Sequence, residues 1–333
     1  MDLTIALQIV GGLILLALGG EGVVRGAVGV ARKLGVSELM IGLTLVGFGT
    51  STPELLTSIN AAFNDAPGIA IGNVVGSNIG NILLIFALVI MIKPISVDPK
   101  AIQRDSMVMI GVSVLMIALA LIFNQLNFSV GVIFVAGLIA YIVSAYMAER
   151  TAPAGGADAA SAAMHEGEGH SHDPSPDSLL LSLLFAIGGL ALLIFGADIL
   201  VKGAIALATI MGMSQTVIGL TIVAVGTSLP ELVASLAAAW KGRSDVAIGN
   251  IIGSNIYNIL GILGITALIK TVPVPADMVW RDWIAMLGAA VILVLMAQTK
   301  TFSRAFGAIL FALYVGYTYL LVTGFGNPPA IAP

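Results

Sequence analysis

Apolar runs of about twenty residues, broken by short polar or Pro/Gly-containing turns, fill most of the chain. Runs of that length match the hydrocarbon thickness that one α-helix crosses, whereas half-buried strands would alternate. The pattern predicts ten spans, at roughly 5–30, 38–62, 69–92, 104–123, 128–148, 179–202, 215–239, 246–269, 282–298 and 305–324. Lipid offers no partner for a bare N–H or C=O, so spanning backbone must be helix or closed barrel, and the run length selects helix. The expected fold class is an all-α polytopic membrane protein.

The pattern is also duplicated. Residues 41–85 return at 218–262 without a gap, with 26 of 45 positions identical. At the same offset of 177, GGLILLALGGEGVVRG at 11–26 matches GGLALLIFGADILVKG at 188–203. Five spans per copy is an odd number, so the second copy must enter the membrane from the opposite face. An inverted repeat of this kind puts a transporter's substrate site at the midplane, where the halves meet. The expected organisation is a five-helix repeat at 1–149, a flexible cytoplasmic linker at 150–178 and a second five-helix repeat at 179–333.

Charge sets the orientation. Only 10% of the 333 residues are charged, with 58% hydrophobic and a mean hydropathy of +1.06, whereas a soluble domain carries about 25% charge. With both termini outside, Arg25, Arg32, Lys33, Lys93, Lys100, Arg104, Arg150, Lys241, Arg243, Lys300 and Arg304 fall on or near the cytoplasmic side. Only Lys202, Lys270 and Arg281 fall outside, which satisfies the positive-inside rule. MDLT carries no basic n-region, so an uncleaved start is expected. The chain has no cysteine, and hence no thiolate metal site. No basic patch invites nucleic acid.

Inside the repeated segment each copy places a glutamate in an apolar run. An acid at a helix centre costs roughly 2.5 to 3.5 kcal/mol on insertion scales, so Glu54 and Glu231 need a partner, a cavity or an ion. In GTSTPE, Thr50 and Glu54 are spaced to share a helix face, with Ser51 beside it. Pro53 donates no hydrogen bond and displaces the carbonyl behind it, freeing carbonyls around Gly47 to Thr50. GTSLPE repeats the set as Thr227, Ser228, Pro230 and Glu231. Carboxylate, hydroxyl and carbonyl are hard oxygen ligands, suited to calcium and sodium rather than soft metals.

GNVVGSNIGN places Asn73, Ser77 and Asn81 at i+4 steps, and Asn250, Ser254 and Asn258 repeat the face beside small-residue stripes that permit close helix approach. Symmetry with the glutamates points to ligation by Ser77, Ser254, Asn81 and Asn258. For Asn73 and Asn250, ligation and interhelical bonding both stay open. Glu21 with Arg25, and Asp198 with Lys202, have the spacing of intrahelical ion pairs. Glu38 is expected at an interface. The linker cluster His165, Glu166, Glu168, His170, His172 and Asp173 has ligand types for a loosely held divalent cation, on a segment that reads as a solvated spacer.

GTSTPEL with GNVVGSNIGN, and GTSLPEL with GNIIGSNIYN, resemble the two α-repeats of the sodium/calcium exchangers of the cation/calcium antiporter superfamily, over essentially the whole chain. The resemblance implies ten helices, the second, third, seventh and eighth enclosing one calcium site and neighbouring sodium sites, with the first and sixth sliding against them. It implies that Glu54 and Glu231 are the main calcium ligands and also serve sodium. Thr50, Thr227, Ser51, Ser228, Ser77 and Ser254, with the carbonyls of Gly47 and Ala224, would complete the coordination, and Asn81 and Asn258 would occupy the central polar positions. Some exchangers have an aspartate where Asn258 stands, which leaves the ion ratio open.

Two carboxylates balance one calcium or two sodium ions, so the two loads exclude one another and exchange follows. The expected activity is sodium/calcium antiport by alternating access, with transported calcium and sodium as bound ions, no prosthetic group and no obligatory protein partner, in a prokaryotic cytoplasmic membrane. Calcium/proton exchange is the rival, because a carboxylate in low dielectric can trade a cation for a proton; the full Thr/Ser set favours sodium. An intramembrane hydrolase built on Ser51 or Thr50 with Glu54 would lack an embedded His or Lys base. A passive channel would more often be built around an axis by symmetric subunits.

Overall fold

The computed structural model describes residues 3–96, 99–151, 178–211, 226–274 and 280–323. The helices are α1 (Leu3–Leu34), α2 (Glu38–Thr50), α3 (Thr52–Phe63), α4 (Pro67–Ile92), α5 (Pro99–Phe123), α6 (Phe128–Thr151), α7 (Leu179–Ile210), α8 (Leu229–Trp240), α9 (Ser244–Ile269), α10 (Trp280–Ala297) and α11 (Arg304–Thr323). Seven of the described helices are long and apolar enough to cross a bilayer, or eight if α2 and α3 are one span bent by 45°. The described residues are mostly helical, and the chain is an integral membrane protein. The part of the expected seventh span that precedes Gly226 lies outside the described residues.

Glycine spacing explains the longest contact. Gly12, Gly19 and Gly26 recur every seventh residue on α1, and Gly189, Gly196 and Gly203 do so on α7. A heptad keeps one stripe on a single face, and the missing side chains bring the backbones together. A Cβ on Gly12 would lie 2.9 Å from the Gly196 carbonyl oxygen, and one on Gly19 would lie 2.9 Å from that of Gly189. At the helix ends Gly26 meets Ala186 and Gly203 meets Ile9. The pairing is antiparallel, and each contact maps onto another when 177 is added to one partner and subtracted from the other. Both helices have 32 residues, about 48 Å at 1.5 Å per residue, well beyond the ~30 Å hydrocarbon core.

α9 is the central helix. Its spanning window is 89% buried, against 28% for α1 and α6 and 33% for α5 and α7, whose outward Leu, Ile, Val and Phe side chains form the lipid-facing surface. Gly249 and Gly253 on α9 admit the α2 backbone: a Cβ on Gly253 would fall 2.3 Å from the Leu43 carbonyl oxygen. Two short antiparallel ribbons tie the helix ends. β1 (Ile95–Ser96) pairs with β4 (Thr301–Phe302), and β2 (Gln125–Leu126) with β3 (Val272–Pro273). Ile95, Phe302, Leu126 and Val272 are buried there.

Candidate functional site

The second helix breaks where the proline predicts. Pro53 stands in the first turn of α3 and Pro230 in the first turn of α8, where a missing N–H is tolerated. Ser51 (φ −83°, ψ 11°) and Ser228 (φ −92°, ψ 8°) hold nearly the same bridge-region backbone just before those helices. Glu54 and Glu231 then fall in the first turns, where the helix dipole favours negative charge by roughly 0.3–1 kcal/mol. This corrects the expectation that Thr50 and Glu54 share one helix face. Thr50 closes α2 and Glu54 opens α3, so the i+4 rule does not run across the break.

The side chains cross between the two repeats. Both carboxylates are buried, each within hydrogen-bond reach of a serine from the other repeat. Ser51 donates its hydroxyl to Glu231 Oε1 at 3.1 Å, and Ser228 donates to Glu54 Oε1 at 3.4 Å. Oε2 of each glutamate is buried with no hydrogen-bond donor. The Thr50 hydroxyl lies within reach of the Val46 carbonyl (3.0 Å) and the Asn250 amide oxygen (3.1 Å). Ser254 donates to the Gly47 carbonyl at 3.3 Å, which also accepts the Ser51 N–H at 3.3 Å. Ser77 is buried on α4. Thr227 sits in the turn before α8, and Ala224 lies outside the described residues.

Asn73 and Asn250 act as matching clamps. Asn73 donates to the Glu54 carbonyl (3.0 Å) and to Ser58 Oγ (2.9 Å). Asn250 donates to the Glu231 carbonyl (3.2 Å) and to Ser235 Oγ (2.8 Å). Their amide hydrogens are thus committed to joining helices, which favours interhelical bonding for this pair. Asn81 and Asn258 differ. They are buried, Asn81 has no partner at either amide atom, and Asn258 Oδ1 has no donor. A π-helical turn begins at each, at Asn81–Phe86 and Asn258–Leu263. Such turns widen a helix and free a carbonyl, and they concentrate at functional sites.

Several features escaped the motif reading. Asp105 is buried in α5 and takes hydrogen bonds from Arg104 (2.8 Å) and the Tyr141 hydroxyl (3.1 Å). Asp282 in α10 takes them from Arg281 (3.3 Å) and Tyr317 (3.0 Å). The Arg-Asp pair recurs at the offset of 177, a signal present in the sequence, but the tyrosines recur at 176 and an ungapped comparison misses them. Elsewhere Glu21 pairs with Arg25 as spaced and also with Lys241, and Asp198 pairs with Lys202 at 2.7 Å. Glu38 pairs with Arg243 at 2.8 Å. The His/acid linker cluster lies outside the described residues.

Two buried carboxylates, each hydrogen-bonded by a serine of the other repeat and set among hydroxyls and carbonyls, suit a membrane transporter of small cations. Comparison with known proteins agrees. The sodium/calcium exchanger protein family matches residues 4–147 and again 181–323. CaxA of Alkalimonas amylolytica is 38% identical, covering 93% of this chain and 96% of its own. Sodium/calcium exchanger MaX1 of Methanosarcina acetivorans is 34% identical, covering 93% and 96%. A solved structure of the sodium-calcium exchanger NCX_Mj, soaked with zero Na+ and Ca2+, superposes with a TM-score of 0.79 at 32% identity, over 96% of this chain and 100% of that one. The chain belongs to the sodium/calcium exchanger family, a class of cation/calcium antiporters.

Proposed function

We propose that this protein exchanges sodium for calcium by alternating access at a midplane site between Glu54 and Glu231. The observation that carries the reading is the reciprocal crossing of Ser51 to Glu231 and Ser228 to Glu54, which leaves one buried oxygen on each carboxylate without a donor. A cation between the carboxylates offsets both charges. Thr50, Ser51, Ser77 and their mates Thr227, Ser228 and Ser254, with Asn81, Asn258 and the carbonyls of Gly47 and Ala224, supply neutral oxygens around it. Pro53 and Pro230 break the helices that carry the glutamates, and Asn73 and Asn250 hold their backbones. A charge of −2 takes one calcium or two sodium ions, so loading one ion releases the other.

The exchanging contacts of α1 and α7 support ten spans arranged as two inverted five-helix repeats, 1–149 and 179–333, joined by a linker at 150–178. Charge bias puts both termini outside a prokaryotic cytoplasmic membrane. Purified protein in sodium-loaded proteoliposomes should take up calcium when diluted into sodium-free buffer, and Glu54→Gln and Glu231→Gln should each abolish uptake. Uptake under a pH gradient alone, with none under a sodium gradient, would replace sodium by protons as the coupling ion. Uptake retained by both variants would remove the glutamates from the site.

A further inference from the structure

Asn78 lies one residue off the Asn73–Ser77–Asn81 stripe, and its repeat mate is Asn255. Both are buried. Asn78 Nδ2 donates to the Asn255 backbone carbonyl at 3.2 Å, with the Met286 sulfur 4.0 Å away as a second, weak acceptor. A carbonyl can only accept, so this contact fixes which end of the Asn78 amide is nitrogen. The other end is Oδ1, which accepts Asn258 Nδ2 at 2.9 Å. That contact fixes Asn258 in turn, because two amide oxygens cannot share a hydrogen bond. The free end of Asn258 is therefore its oxygen, buried and without a donor.

The repeat mates do not reproduce this chain of bonds. Asn255 directs its own amide to the Ile251 carbonyl at 2.7 Å, within its helix. Asn81, the mate of Asn258, is held by no hydrogen bond at either end of its amide. Similar sequences thus yield one asparagine oriented by hydrogen bonds and one that no hydrogen bond orients. Asn258 opens a π-helical turn that packs against α3, the helix carrying Glu54.

We infer that Asn78 is a positioning residue that holds Asn258 with its side-chain oxygen toward the cation, while Asn81 keeps the freedom to turn. The inference rests on the exchanger reading above and deepens it. With a cation at the site, an Asn258 amide turned the other way presents hydrogens where a lone pair is needed. Removing a partner that orients a metal ligand typically lowers affinity about 10- to 100-fold.

The test is equilibrium binding of calcium to purified full-length protein in detergent, read in a double-mutant cycle. Asn78→Ala should weaken calcium binding about tenfold or more. Asn78→Leu, which keeps the branched shape without either polar group, should do the same with a melting temperature that shows the fold intact. In an Asn258→Asp background, either end of the side chain is an oxygen, so Asn78→Ala should leave affinity unchanged or improve it. Equal weakening in both backgrounds would reduce Asn78 to a packing role and overturn the inference, as would unaltered affinity in Asn78→Ala and Asn78→Leu alike. If the unsubstituted protein bound no calcium, the exchanger reading would fall first and this inference with it.

Discussion

Gly253 offers the most direct way to test how backbone proximity sets the site. Replacing it by alanine would put a Cβ 2.3 Å from the Leu43 carbonyl oxygen, 2.6 Å from its Cα and 2.7 Å from its carbonyl carbon. These are backbone atoms and cannot rotate away, so α2 must shift from α9 by about 1 Å to restore ordinary contact. Overpacking of this kind costs about 1–3 kcal/mol, offset by up to ~1 kcal/mol because alanine is the better helix former. The net loss should be about 1–2 kcal/mol, seen as a lower melting temperature in detergent.

Function should suffer more than stability. The same shift separates Ser254 from the Gly47 carbonyl, now 3.3 Å apart, and binding constellations tolerate only about 0.5 Å of displacement. Sodium-driven uptake of radioactive calcium in proteoliposomes should fall at least about tenfold, with Gly11→Ala as the control. Gly11 faces open space on α1, and its alanine variant should transport normally. A Gly253→Ala protein with unaltered melting and unaltered uptake would refute the argument that glycine at this contact sets the site.

Other outcomes follow from individual bonds. Tyr141→Phe removes a donor from buried Asp105 and should destabilise the protein by about 1–3 kcal/mol in a detergent melt while leaving the calcium affinity of the folded fraction unchanged. Asn73→Ala loses both clamp bonds to α3 and should lower stability by a similar ~1–3 kcal/mol, with weaker calcium binding because the Glu54 backbone is released. The absence of native cysteine allows a clean orientation test. A thiol introduced as Lys93→Cys should react with an impermeant reagent only from the cytoplasmic side, and Gln125→Cys only from outside; the reverse pattern would invert the topology.

The sequence made the site legible because its chemistry is expensive in lipid. Glu54 and Glu231 had to be explained, the repeat made each a check on the other, and Pro53 announced the break that the structure bends by 45°. Local spacing failed just past that break, since a periodicity argument assumes a continuous helix and Thr50 and Glu54 belong to different ones. The Asn78–Asn258 bond was illegible for another reason. Side-chain orientation at the contact between halves depends on which donor meets which acceptor across 180 residues of sequence, and the repeated motifs do not specify it. The α1–α7 glycines were visible as letters, but which faces they joined was not.

The crossed serines carry a consequence for assembly. Ser51 reaches Glu231 and Ser228 reaches Glu54, so each half of the chain holds only a fraction of the proposed site. Residues 1–151 and 178–333, expressed as separate chains in one cell, should therefore find each other through the α1 and α7 faces and regain transport that neither fragment has alone.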